Sequence, residues 1–223
     1  MNISDNLQSI QKQIADAVAF VGREASEVNL VAVSKKQPDE RIQEALDAGH
    51  RLFGENRVQE AQAHWAHRRD EYSDLRLHLI GPLQTNKAKE AVALFDVIET
   101  LDREKLARAL SREMEKQNRH LPCFIQVNTG EEKQKAGIAP SDVENFYDFV
   151  RNECGLTIQG LMCIPPVDEP PALHFALLQK YAEALGLKDL SMGMSSDFEK
   201  AIPLGATYVR VGTGVFGQRD YDL

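Results

Sequence analysis

At 223 residues and 43% hydrophobic content, the chain has the size and apolar fraction of an ordinary soluble α/β protein. A chain of this length buries roughly 70–75% of its unfolded surface and needs no disulfide or metal to fold. Its net charge of −8 argues against a broad nucleic-acid surface or an anionic-membrane surface, though not against a small local anion site.

The opening Met1-Asn2-Ile3-Ser4-Asp5 is polar, with no signal-peptide core. No apolar run approaches the ~20 residues of a membrane span. Cys123, Cys154 and Cys163 lack metal-type spacing and fit a reducing compartment. A cytoplasmic protein without a metal site is expected. From Asp5 to Val21, Leu7, Ile10, Ile14, Val18 and Val21 recur at spacings of three and four, which predicts one helical face. The valine-rich run Asn29 to Ser34 then fits a strand buried on both faces, and it ends abruptly at Lys35-Lys36-Gln37-Pro38.

From there one alternation repeats. Pro38 to Ala48 reads as a helix closed by Gly49, and Arg51-Leu52-Phe53 as a strand running into Gly54-Glu55-Asn56. Arg57 to Arg69 is predicted helical, Arg76 to Ile80 a strand ending at Gly81, Gln84 to Leu94 a helix, and Asp96-Val97-Ile98-Glu99 a strand. Asp102 is placed to cap a long helix with Leu106, Leu110 and Met114 on one face. Pro122 to Val127 is the fifth strand, and Ser141 to Glu144 has capping-box spacing for a helix through Val150. Leu156 to Met162 is the sixth strand, Ala172 to Leu185 a helix and Leu190-Ser191-Met192 the seventh strand. A second capping box, Ser196 to Glu199, opens a short helix ending near Gly205, before the eighth strand, Tyr208 to Val211.

Strands alternating with helices pair in parallel through right-handed crossovers, and eight such units make a (β/α)8 TIM barrel. One domain over residues 1–223 is expected. The first helix is expected to cover the wall that lacks a long helix after strand eight. A doubly wound open sheet is the alternative, but no Gly-x-Gly-x-x-Gly follows the first strand. Pro165 to Pro171 reads as a stiff loop after strand six, not a domain boundary.

Barrels carry their chemistry at the carboxyl ends of the strands. The residues placed there include Lys35, Asn56, His78, Thr100, Asn128, Met162, Ser195 and Arg210. A lysine ending a buried strand reads as a Schiff-base amine or as an ordinary loop lysine. Arg210-Val211-Gly212-Thr213-Gly214 sets glycines around a threonine, which lets backbone N–H groups approach an anion. Ser195 and Ser196, ahead of a helix start after strand seven, complete a phosphate cup. A phosphate cup opposite a lysine suggests a phosphorylated aldehyde held as an imine, with pyridoxal 5′-phosphate (PLP) the leading candidate. Arg210 has the type and place to meet its ring nitrogen.

Five segments carry a resemblance. They are Val31-Ala32-Val33-Ser34-Lys35, Gly54 to Glu60, His78 to Lys87, Ser191 to Ser195, and Val209 to Thr213. In order and nearly end to end, the chain resembles the YggS/PROSC family of pyridoxal phosphate homeostasis proteins. The resemblance implies the fold of the alanine racemase amino-terminal domain without an appended β-domain, and PLP as cofactor. It implies Lys35 as the cofactor lysine, Ser195, Gly212 and Thr213 on the phosphate, Arg210 at the pyridine nitrogen and Asn56 along the ring. Lys36 stands where many members have threonine, and strand alternation favours only one of the two lysines pointing inward. The implied role is to bind PLP and keep its free level in bounds as a monomeric carrier, with apo PLP enzymes as partners. A small PLP enzyme such as an amino-acid racemase, and a barrel isomerase or aldolase whose lysine binds substrate, are the competing readings. A racemase of this type draws its second base from a further domain, for which the chain leaves no room before Leu223.

The remaining motifs read more plainly. His64 and His67 have a metal-like spacing, but a solvated helix face is the expectation. His78 is either a site-rim or a hydrogen-bonded structural histidine. Gln84, Asn86 and Lys87 tie a helix start to the barrel, and Lys133 and Lys135 are loop lysines beside the pocket or in solvent. Met162, Met192, Met194 and Cys163 are packing residues.

Overall fold

The computed structural model describes residues 2–218. Its strands are β1 (Asn29–Val33), β2 (Leu52–Glu55), β3 (Arg76–Leu79), β4 (Val97–Leu101), β5 (Cys123–Val127), β6 (Ile158–Cys163), β7 (Asp189–Met194) and β8 (Tyr208–Val211). They pair in chain order and in parallel, and β8 returns to β1 with Asn29 opposite Tyr208 and Ala32 opposite Val211. That last ladder closes the sheet. The fold is the expected (β/α)8 barrel, and the open-sheet alternative falls. The expected domain limits, residues 1 and 223, lie outside the described residues.

Alternation along each strand divides the side chains between two cores. Leu30, Ala32, Phe53, Leu77, Ile125, Leu161, Leu190 and Val209 face outward and pack with the helices in the main apolar cluster. The opposite parity fills the barrel. Val97, Phe124 and Met162 form a small inner cluster with Tyr208 packed against it. The inner space also holds buried polar residues, among them His78, Glu99, Ser191 and Arg210. A barrel interior that is part polar is unusual enough to ask what it is for.

The helices are α1 (Ile3–Phe20), α2 (Asp39–Asp47), α3 (Val58–Trp65), α4 (Ala88–Leu94), α5 (Glu104–Gln117), α6 (Val143–Asn152), α7 (Pro171–Ala184), α8 (Phe198–Ala201) and α9 (Thr213–Phe216). With only four residues, α9 covers little of the wall, and α1 supplies the cover. Ile3, Leu7, Ile10, Ile14 and Val18 are all buried, and Asn6 Nδ2 donates to Val215 O at 2.9 Å. Val21, expected in the same stripe, is instead the exposed C-cap residue. Among the described residues no helix is long and apolar enough to cross a membrane.

None of the three expected caps forms. Asp102 accepts from the Arg103 side chain, and Arg103 itself is the N-cap of α5. α6 grows out of a 3-10 turn, Pro140–Asp142, with no side-chain cap. Asp197 accepts from the Met194 amide at 2.6 Å, upstream of α8. Asp102 and Asp197 each meet a nearer local donor than a helix amide, and Ser141 is taken up in the tight turn ahead of α6.

Candidate active-face pocket

At the carboxyl ends of the strands lies an open pocket of ≈ 320 Å³. Its lining brings together Lys35, Asn56, Ser195, Arg210, Gly212 and Thr213, all six residues singled out from the sequence, along with Val33, Ile80, Ile164, Met194 and Ser196. The volume lies at the small end of the range for ligand pockets, about 300–1,000 Å³.

Strand parity explains the assembly. The inward series Val31, Val33 runs on into Lys35, which is half-buried in the pocket wall. Ser34, of opposite parity, is fully buried on the helix side. Lys36 then takes a left-handed φ of 57° and is exposed. Of the two adjacent lysines, Lys35 is the one that lines the pocket. Asn56 follows the inward Gly54 of β2, and Gly81 packs so closely on Asn56 that a Cβ there would sit 2.3 Å from its carbonyl oxygen. The β2 and β3 loops are thereby locked together beside the pocket.

Arg210 reaches the pocket from within the barrel and is held on three sides. Its Nη1 donates to Ser191 Oγ at 2.6 Å, its Nη2 donates to the Cys163 carbonyl at 2.8 Å, and Nη1 lies 4.0 Å from Glu99 Oε2. Glu99 accepts from Ser191 Oγ at 2.5 Å and shares its other oxygen with His78 Nδ1 at 2.6 Å. Burial alone would push the Glu99 carboxyl up. The His78 hydrogen bond and charge, the Arg210 charge and the Ser191 hydroxyl outweigh that and hold it below its ordinary value. His78 is thus a structural residue of the barrel floor, and Cys163 is an apolar neighbour whose thiol is pushed up to about 12 by burial.

The anion side of the pocket is more open. Ser195 and Thr213 are exposed, and Thr213 Oγ1 donates to Ser195 Oγ at 3.3 Å. Gly212 is the N-cap of α9, and the Thr213 and Gly214 amides lie ahead of the helix's first backbone bond, from the Val215 amide to the Gly212 carbonyl at 3.0 Å. Gly214, counted with it in the sequence reading, answers to packing. A Cβ there would meet Val211 at 2.7 Å and Ile10 at 3.3 Å.

A second buried carboxylate sits on the outer face of the sheet. Glu55 Oε1 accepts from Ser34 Oγ at 2.7 Å and Trp65 Nε1 at 3.1 Å, and lies 3.0 Å from His64 Nδ1. The solvated helix face expected around His64 is therefore incorrect for two of its residues, since Trp65 is fully buried and His64 half-buried. The Glu55 hydrogen bond raises the His64 imidazole above its ordinary value against the opposing effect of burial, and the charges of Glu55, Glu60 and Asp39 add to it. Glu60 in turn accepts from the Lys36 amide.

Other expected residues lie apart. Thr100 donates to the Gly81 carbonyl at 2.8 Å, and Asn128 closes its own loop on Glu132. Lys135 pairs with Glu132 and donates to Pro165 O at 3.2 Å. Gln84 and Lys87 border a separate cavity with Arg57.

The alanine racemase N-terminal domain family matches residues 5–220 of this chain. The pyridoxal phosphate homeostasis protein of Vibrio cholerae is 41% identical over 233 residues, covering 99% of this chain and 98% of the relative. That of Escherichia coli K12 is 38% identical over 229 residues, with 99% and 98% covered. Among solved structures, PipY of Synechococcus elongatus PCC7942 without PLP superposes with a TM-score of 0.86 at 38% identity, over 97% of this chain and all of PipY. The same protein with PLP bound gives 0.84. Alanine racemase of Clostridium difficile shares the fold, with a TM-score of 0.72 at 13% identity, over 98% of this chain and 58% of the racemase. By sequence and by fold, this chain belongs to the alanine racemase N-terminal-domain family, alongside the pyridoxal phosphate homeostasis proteins.

Proposed function

We propose that the pocket binds pyridoxal 5′-phosphate and that the protein serves as a carrier of that cofactor, contributing to its homeostasis. The observation that carries the reading is the convergence of an amine, a fixed guanidinium and a hydroxyl-and-glycine cradle on one pocket of ≈ 320 Å³. Lys35 is the amine that condenses with the cofactor aldehyde, releasing water and leaving an imine. Ser195, Gly212 and Thr213 take the phosphate, Arg210 donates to the pyridine nitrogen and Asn56 lines the ring. Bound PLP supplies an electron sink, and an arginine partner keeps that sink weak because it donates a hydrogen bond without giving up its proton.

A carrier is favoured over a racemase by the pocket's make-up. Among the described residues, those that line the pocket beside Lys35 carry no carboxylate, imidazole or phenol to act as a second base. The names of the relatives and the PLP-bound PipY support the same reading. The reading also takes apo PLP enzymes as recipients and a monomer as the working form.

Borohydride reduction of the PLP-loaded protein followed by peptide mass spectrometry tests it. The expected result is a pyridoxyl adduct on Lys35, lost in Lys35→Ala. Absence of any adduct after loading would overturn the reading. Hydrogen exchange at the α-carbon of added amino acids, faster than with free cofactor, would favour the enzyme instead.

A further inference from the structure

The turn that carries Lys35 is held on both sides by one stretch of chain. Before it, the Ser34 hydroxyl donates to Glu55 at the end of β2 (2.7 Å). After it, the Lys36 amide donates to the carboxylate of Glu60 on α3. Lys36 has a φ of 57°, a conformation uncommon for a residue with a Cβ and kept only where the surroundings hold it. That torsion sends Lys36 to solvent and leaves Lys35 in the pocket wall. Two identical amines in adjacent positions are made unequal by this turn.

We infer that Glu60 is a positioning residue. Its carboxylate on the Lys36 amide fixes the left-handed turn and so selects Lys35, not Lys36, as the amine presented to the pocket. A charged acceptor suits this task, because a hydrogen bond to a carboxylate is stronger than one to a neutral oxygen. The inference rests on the cofactor reading above, and its test separates the two.

The purified chain is incubated with pyridoxal 5′-phosphate and reduced with borohydride, and label on Lys35 and Lys36 is quantified by peptide mass spectrometry. In the unaltered protein the label falls on Lys35. Glu60→Ala raises the Lys36-to-Lys35 label ratio about 10-fold, the effect of losing a hydrogen bond to a charged group. Glu60→Gln keeps an oxygen acceptor but loses the charge, and its ratio falls between those of the parent and Glu60→Ala. Adding Lys36→Gly to Glu60→Ala restores the rate of labelling at Lys35, since glycine adopts positive φ without help. A purely structural Glu60 would lower label on both lysines together and would not respond to the glycine.

A parent-like ratio and rate in Glu60→Ala overturns the inference while leaving the cofactor reading intact. No label on the parent protein overturns both. If Glu60→Ala does not fold, Lys36→Val decides the matter. A β-branched residue resists positive φ, so labelling of Lys35 slows, and an unchanged rate overturns the inference.

Discussion

Glu55 and Glu99 are both fully buried carboxylates, each joined to a histidine, and they stand on opposite faces of one sheet. Glu99 lies inside the barrel. Both of its oxygens are engaged, and a guanidinium stands 4.0 Å away. Glu55 lies between sheet and helices. One oxygen takes Ser34, His64 and Trp65, while the other meets no donor among the described residues. The first balances and locks the cation at the pocket floor. The second ties the end of β1 to α3 and so shapes the turn under Lys35. One carboxylate sets electrostatics and the other sets backbone geometry.

If that division is right, removing the two charges has unequal costs. Glu99→Ala leaves Arg210 buried without its counter-charge, a loss of about 3–5 kcal/mol. For a chain of this size that lowers the melting temperature by about 10 °C. Glu55→Gln keeps oxygen and shape and faces no guanidinium, so a fall of only a few degrees is expected. Thermal denaturation of the two variants without cofactor checks the order, and an equal loss in both would erase the distinction.

The two sites also differ in pH response. The folded His64 holds its proton more tightly than a free imidazole, so its contribution is fully present below about 6.5 and is lost as pH rises through the raised folded value. His50, buried and lowered, acts with the opposite sign. Its contribution is present above about 6.5 and lost as pH falls. The informative quantity is therefore the stability difference between the parent and His64→Gln, in which His50 cancels. That difference should shrink from pH 6 to pH 8. Glu99, held low, shows its effect only in acid, with stability lost as pH falls from about 4.5 through its lower folded value. A parent-to-His64→Gln difference that is flat across pH 6 to 8 would remove the ion pair from the account of the outer site.

The same pair shows what a sequence conceals. The barrel itself was legible because apolar runs, helical stripes and turn residues recur in one order, and strand order then needs no distant information. The pocket lining was legible for a related reason. Residues at and just past strand ends converge in any barrel, so Lys35, Arg210 and the Gly212 loop could be placed without knowing their contacts. The buried carboxylates could not. Glu99 reads as the polar end of strand four, whereas β4 continues to Leu101. Glu55 likewise reads as loop but belongs to β2. A charge inside a strand looks like a boundary until its partners are known, and Ser191 lies 92 residues from Glu99. The failed caps have the converse cause, since a four-residue spacing cannot register a nearer donor.

The smallest expected effect lies at the open rim. Ser195 is exposed and, among the described residues, has Thr213 as a side-chain partner, so removing its hydroxyl leaves no buried group stranded. Ser195→Ala should leave the melting temperature of the cofactor-free protein unchanged. It should weaken PLP retention roughly 3- to 10-fold, the worth of one ordinary hydrogen bond. Equilibrium dialysis against free PLP measures this directly. Retention equal to the parent would move the phosphate off Ser195 and onto the Gly212–Thr213 side of the cradle. A larger loss, accompanied by a fall in the melting temperature of the cofactor-free protein, would mean that the rim and the floor do not act separately after all.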